Sequence, residues 1–148
     1  MNDNPTLSIV IPAHNEEERL PASLEKILSY LKESGLTWEV LVVDNNSTDA
    51  TAQIVQEYEA REPRIRLLRE TRPGKGAAVR SAMLAAQGEF AIFSDADLSC
   101  PIAEEAKLRR ALQEGHDVAI ASRRLPESDV EKTPLRRLMS AAFNWVVQ

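Results

Sequence analysis

Phe90-Ala91-Ile92-Phe93-Ser94-Asp95-Ala96-Asp97-Leu98-Ser99 is the stretch that decides the fold. A short apolar run closes on two carboxylates one residue apart. An apolar run of this length with polar flanks reads as a buried strand. Asp95 and Asp97 then sit just past its C-terminal end, where open α/β sheets bind ligands. Two carboxylates converging on one point repel unless a positive charge lies between them. A hard divalent cation, Mg²⁺ or Mn²⁺, that also carries substrate phosphates suits such a pair. The same residues also suit two turn acids, with Ser99 or Asp97 capping the following helix. The pair taken alone leaves both readings open.

Toward the N-terminus, Leu7–Pro12 has the β-branched content of a strand, followed by the polar loop Ala13–Glu18. A helix is predicted from about Glu17 to Ser34, with Leu20, Leu24, Ile27, Leu28 and Leu31 on one face. Trp38–Val43 is the second strand, and the polar break Asp44–Asp49 follows it. Ser47 or Thr48 is expected to cap a helix reaching about Glu59. Ile65–Leu68 is a short third strand. Arg72-Pro73-Gly74-Lys75-Gly76 precedes a helix from about Ala77 to Ala86, and Gly88 closes it ahead of a strand at about Glu89–Ser94.

Toward the C-terminus, Pro101 leads a helix to about Glu114. Asp117–Ala121 is a predicted fifth strand and Ser122–Thr133 a charged loop. Pro134 starts a last helix with Leu135, Leu138, Met139, Ala142, Phe143 and Val146 along one side. Strands alternating with helices call for a mostly parallel sheet with helices on both faces.

The bulk composition narrows the function classes. The 148 residues suit one domain with a real core, at 43% hydrophobic and 28% charged. A net charge of -5 argues against nucleic acid as a partner. The single cysteine, Cys100, excludes an internal disulfide and a cysteine-based zinc site. It agrees with a reducing, cytoplasmic setting. Met1–Pro5 lacks the basic and long apolar segments of a signal peptide. No window reaches the roughly 18 apolar residues of a membrane span.

Motif by motif, the loops permit a limited chemistry. No Gly-x-Gly-x-x-Gly follows the first strand, no P-loop is present, and no Gly-x-Ser-x-Gly elbow occurs. Asp44 ends an apolar strand, where a carboxylate can accept from a base or a ribose hydroxyl, or cap the next helix, as Asp49 also could. Gly74-Lys75-Gly76 offers a flexible backbone and a cation at a helix start, which suits anions. It suits a plain turn with a solvated lysine equally well.

The ordered set is more informative than its members. Pro12-Ala13-His14-Asn15-Glu16-Glu17, Asp44-Asn45-Asn46-Ser47-Thr48-Asp49, Gly74-Lys75-Gly76 and Asp95-Ala96-Asp97 together resemble the family 2 glycosyltransferases of GT-A fold. Pro73–Arg80, Asp95–Ile102, Ala121–Leu125, Arg136-Arg137 and Phe143-Asn144 are similar to the dolichyl-phosphate β-glucosyltransferase branch. Dolichyl-phosphate mannose synthases are its neighbours. The resemblance implies an α/β, Rossmann-like GT-A domain that binds a nucleotide sugar, UDP-glucose or GDP-mannose, with Mg²⁺ or Mn²⁺. It implies inverting transfer to a polyprenyl or dolichyl phosphate in protein glycosylation, at the cytoplasmic face of a membrane.

By the same resemblance Pro12, Asn15 and Glu16 line the nucleotide pocket and Asp44 contacts the base. Lys75 lies by the nucleotide or its phosphates, Asp95 near the ribose, Ala96 at the nucleotide sugar, and Asp97 holds the metal on the diphosphate. Asp97 and Arg123 are the implied catalytic residues. Arg123 and Arg124 hold a phosphate, or form a solvated basic loop. Many relatives carry Asp-Gly where this chain has Asn45-Asn46, and asparagine tolerates the left-handed turn that glycine would supply. Relatives also continue past the last helix with an acceptor-side segment, so residues 1–148 are expected to be the N-terminal, donor-side part. The last helix either lies on a membrane surface or packs in a core, and its apolar side predicts self-association. The alternatives are a sugar-phosphate nucleotidyltransferase and a non-catalytic nucleotide-sugar-binding fragment.

Overall fold

The computed structural model describes residues 4–121. The predicted loop at 122–133, with Arg123 and Arg124, and the predicted last helix, with Arg136, Arg137 and Phe143, lie outside the described residues.

Four strands form one parallel sheet in the order β3-β2-β1-β4. They are β1 (Leu7–Ala13), β2 (Trp38–Asp44), β3 (Ile65–Arg69) and β4 (Phe90–Phe93). β1 and β2 are central and buried along nearly their whole length, which explains their continuous apolar runs. Leu7 is in register with Trp38 and with Phe90, so the C-terminal ends of β1, β2 and β4 reach the same edge. The helices are α1 (Leu20–Ser34), α2 (Thr51–Arg61), α3 (Lys75–Ala85) and α4 (Glu105–Gln113), the last entered through one 3₁₀ turn at Ile102–Glu104.

Alternation along the strands divides the core. Leu7, Ile9 and Ile11 of β1 with Val40 and Val42 of β2 face α1 and α2, meeting Leu20, Leu24, Ile27 and Val55. Val10, Leu41 and Val43 face the other way, onto Ala78 and Ala82 of α3. Helices therefore cover both faces, as predicted. Gly88 sits tight against β1: a Cβ there would lie 2.6 Å from Ser8 Oγ and 2.7 Å from Ser8 N. The Ser8 hydroxyl donates to the buried Glu39 (2.7 Å) and accepts from the Gly88 amide (2.8 Å), so the α3–β4 connection is tied to the sheet.

Four expectations are corrected. β4 is half-exposed, with Ala91 and Phe93 outward, because among the described residues α3 covers that face of the sheet over β1 and β2 and not over β4. The run Asp117–Ala121 forms no strand; Val118 and Ile120 are about four-fifths exposed, and among the described residues nothing supplies the packed surface that a strand requires. Neither Ser47 nor Thr48 caps α2: the Thr51 amide at its start is met by Asp49 Oδ1 at 2.9 Å. α1 also begins three residues later than predicted, because the Glu16 and Glu17 amides are taken by the Thr51 hydroxyl (2.8 Å) and by Asp49 (3.1 Å).

Candidate functional site

Parallel topology sends the loops after β1, β2 and β4, and the entry to α3, to one edge of the sheet. There they border a cleft of about 560 Å³. Its walls carry Pro12 from the end of β1, Glu16 and Arg19 from the loop after it, and Asn45 and Asn46 from the second loop. Gly74 and Lys75 come from the start of α3, and Asp95, Ala96 and Asp97 from the turn after β4.

The first two loops are stapled to each other. Asn15, in the left-handed region at φ 55°, accepts the Thr48 amide on Oδ1 (2.8 Å), and its own amide donates to Ser47 Oγ (3.1 Å). His14 Nδ1 donates to the Asn45 carbonyl at 2.8 Å. The Glu17 carboxylate accepts the Ala50 amide at 2.8 Å. Each bond satisfies a backbone group that the loop would otherwise leave unpaired.

Asn45 ties the second loop to the third. Its Nδ2 donates to the carbonyls of Glu70 (2.7 Å) and Arg72 (2.8 Å), and its Oδ1 accepts the Gly74 amide (2.9 Å). A carboxylate in this place would face two carbonyl oxygens. Asn46 sits at φ 60°, the left-handed conformation expected of it. Gly74 has φ 110°, a region that side-chain-bearing residues avoid, and it opens α3. Beside it, Glu70 holds Arg72 through two side-chain bonds of 3.0 and 2.7 Å, and the guanidinium pulls the Glu70 carboxyl down to about 2.

Lys75 is the first residue of α3. Its ammonium pairs with Asp95 and lies 5.2 Å from the Phe93 ring centroid, so it leans across the end of β4. Asp97 is exposed at the turn. Its Oδ1 accepts both the amide (2.9 Å) and the hydroxyl (2.7 Å) of Ser99. The Ser99 hydroxyl holds the Asp97 carboxyl below the usual range; partial desolvation opposes this and the charge of Arg19 adds to it. Neither Asp97 nor Ser99 caps a helix, since neither the 3₁₀ turn nor α4 has a side-chain cap. Leu98 between them takes φ 49°, an unusual conformation for a branched side chain, and packs on the core.

The cleft brings together Pro12, Glu16, Lys75, Asp95, Ala96 and Asp97 of the residues singled out from sequence. Asn15 and Asp44 are not among its lining residues. Asn15 serves as the loop staple, and Asp44 is 6% exposed with Oδ1 on the Ser47 amide (3.1 Å). Arg123 lies outside the described residues. Sequence reasoning gave Asn45 no role of its own and passed over Arg19. Asn45 carried a signal only as half of an unusual Asn-Asn pair, and Arg19 none within its charged run.

Among the described residues no cluster of three or more His, Cys, Asp or Glu side chains is placed to hold a metal. The donor set nevertheless fits Mg²⁺ or Mn²⁺ arriving with a phosphate ligand. Such ions take one or two carboxylates and fill the remaining positions with water and phosphate oxygens. Ser99 fixes the Asp97 carboxylate through Oδ1 at the exposed turn.

A parallel sheet with helices on both faces, and an acidic turn and a lysine at the C-terminal strand edge, defines an α/β domain of the GT-A type. The chain belongs to glycosyl transferase family 2, whose family model matches residues 8–147. It is 32% identical over 151 residues to a dolichyl-phosphate beta-glucosyltransferase of Trichomonas vaginalis, covering 95% of this chain and 47% of that protein. The chain spans about half the length of the curated relatives it matches. Among solved structures it resembles a mannosyltransferase of Pyrobaculum calidifontis in complex with GDP-Man and Mn²⁺. The TM-score is 0.54 at 32% identity, over 65% of this chain and 28% of that one. It also resembles glucosyl-3-phosphoglycerate synthase of Mycobacterium tuberculosis in complex with Mn²⁺, UDP and glucosyl-3-phosphoglycerate. There the TM-score is 0.55 at 26% identity, over 76% and 41%.

Proposed function

We propose that residues 1–148 form the donor-side part of a metal-dependent, inverting glycosyltransferase. It takes a nucleotide sugar, UDP-glucose, for transfer to a polyprenyl phosphate at the cytoplasmic face of a membrane. The observation that carries this reading is the single cleft in which Glu16, Lys75, Asp95 and Asp97 meet across three loops. The dolichyl-phosphate beta-glucosyltransferase relatives support the sugar and the acceptor, and the solved neighbours with nucleotides and Mn²⁺ support the donor and the ion.

In this reading Asp97 holds the cation while Ser99 fixes the carboxylate orientation. The cation supplies charge neutralisation to the departing nucleoside diphosphate. Lys75 stands by the phosphates, its position set by Asp95 and by the Asn45–Gly74 tie. Pro12 and Glu16 line the nucleotide, and Ala96, 4% exposed, keeps the turn close to β1. The acceptor phosphate is already ionised near neutral pH and needs little base assistance, so catalysis rests on placement and electrostatics.

Calorimetry with UDP-glucose, with and without Mn²⁺, tests the proposal. Binding is expected with the ion and at least tenfold weaker without it, and Asp97→Ala is expected to remove that dependence. Metal-independent binding, or an Asp97→Ala protein that binds as the wild type does, refutes it.

A further inference from the structure

Arg19 is the charged group of the cleft that the reading above leaves without a role. It immediately precedes α1, and its side chain is 62% exposed. Its Nε lies 3.4 Å from Glu16 Oε2. That oxygen is buried and takes no hydrogen bond among the described residues, so the contact is an approach of opposite charges rather than a formed bond. The second cation, Lys75, is committed to Asp95. The two come from opposite faces of the sheet, because α1 packs on one side of β1 and α3 on the other. Arg19 also acts electrostatically on Asp97.

We propose that Arg19 is a diphosphate-binding residue of the donor site, closing on the phosphates from the α1 wall while Lys75 faces them from the α3 wall. This rests on the nucleotide-sugar reading. Three carboxylates, Glu16, Asp95 and Asp97, line the cleft. A diphosphate entering beside them meets repulsion that one divalent ion and an already paired lysine offset only in part. A guanidinium offers five donors in a planar fork that matches phosphate oxygens. Its contact with Glu16 is not a formed hydrogen bond, and the Arg19 side chain is 62% exposed, so the guanidinium can turn to a ligand. Arg19 makes no side-chain cap on α1, so truncating it leaves the helix start intact.

The test compares wild type, Arg19→Ala and Arg19→Lys in the presence of Mn²⁺. UDP affinity is measured by calorimetry and uridine affinity by displacement of UDP. Loss of one charge-assisted, partly exposed phosphate contact weakens UDP about tenfold in Arg19→Ala. Arg19→Lys recovers part of this and keeps the wild-type melting temperature, and uridine affinity is unchanged in both variants. Equal losses for uridine and UDP, or no loss for either, overturn the Arg19 assignment while the donor reading stands on wild-type binding. A wild type that binds guanosine and GDP instead has the same comparison made on that pair. A wild type that binds no nucleoside diphosphate overturns both.

Discussion

Asn45→Ala probes the element that joins the two halves of the cleft. The Asn45 amide makes three hydrogen bonds of 2.7, 2.8 and 2.9 Å, and the residue is 7% exposed. At about 1 kcal/mol net for each neutral bond, the loss is about 3 kcal/mol if the freed groups find no water. The Arg72 carbonyl and the Gly74 amide lie near the rim, where solvent replaces part of that loss, so about 2 kcal/mol remains. A domain of this size has roughly 5–15 kcal/mol of stability, so the variant still folds. Urea unfolding should show a lower midpoint at unchanged slope, and the melting temperature should fall by roughly 8 °C. Because Gly74 directly precedes Lys75, affinity for the metal–nucleotide should fall in the same protein. The control is Asn46→Gly. It removes one exposed bond of 3.0 Å to the Thr71 carbonyl and relieves the positive φ, so it should stay within about 0.5 kcal/mol of wild type. If Asn45→Ala shifts the midpoint no more than Asn46→Gly, Asn45 does not tie the loops together.

Two further predictions concern the frame around the cleft. The Glu70 carboxyl is held at about 2 by the Arg72 guanidinium, below its ordinary 4.5. Its folded value is the lower one, so its contribution to stability is fully present above about pH 4.5 and is lost as the pH falls from there toward 2. Glu70→Gln should therefore unfold at lower urea than wild type at pH 7 and converge with it near pH 2.5, and parallel curves across that range would contradict the pairing. Gly88→Ala places a methyl against Ser8 Oγ, Ser8 N and the Phe90 carbonyl, all within 2.9 Å. Two of these atoms are backbone, so the variant should lose about 3 kcal/mol in chemical denaturation, and a wild-type midpoint would show that the β1–β4 approach is looser than it stands here.

The central strands could be read from sequence because their environment is uniform. β1 and β2 are covered on both faces, so nearly every residue of Leu7–Ala13 and Trp38–Asp44 is apolar or buried, and an unbroken run follows. The same reasoning misjudged the burial of Phe90–Phe93, since an apolar run does not state whether both faces of a strand are covered. It misjudged Asp117–Ala121 for a related reason. β-branched content describes what fits a pleated, packed surface, and the described residues give that segment no such surface.

At the cleft the division follows distance along the chain. The acids of Asp95-Ala96-Asp97 and the cation of Gly74-Lys75-Gly76 announce themselves because each is adjacent to a strand end or a helix start, and topology carries both to the same edge. Asn45 acts on carbonyls and an amide 25 to 29 residues away. Nothing local distinguishes that role from a polar turn residue. Asn15 and Asp44 show the converse: placed by family pattern at the nucleotide, they hold neighbouring loop amides at 2.8 and 3.1 Å. Both roles can belong to one site. A loop whose polar side chains are spent on its own backbone is rigid before a ligand arrives, which is why the proposed contacts fall to residues with exposed charge, Asp97 and Arg19.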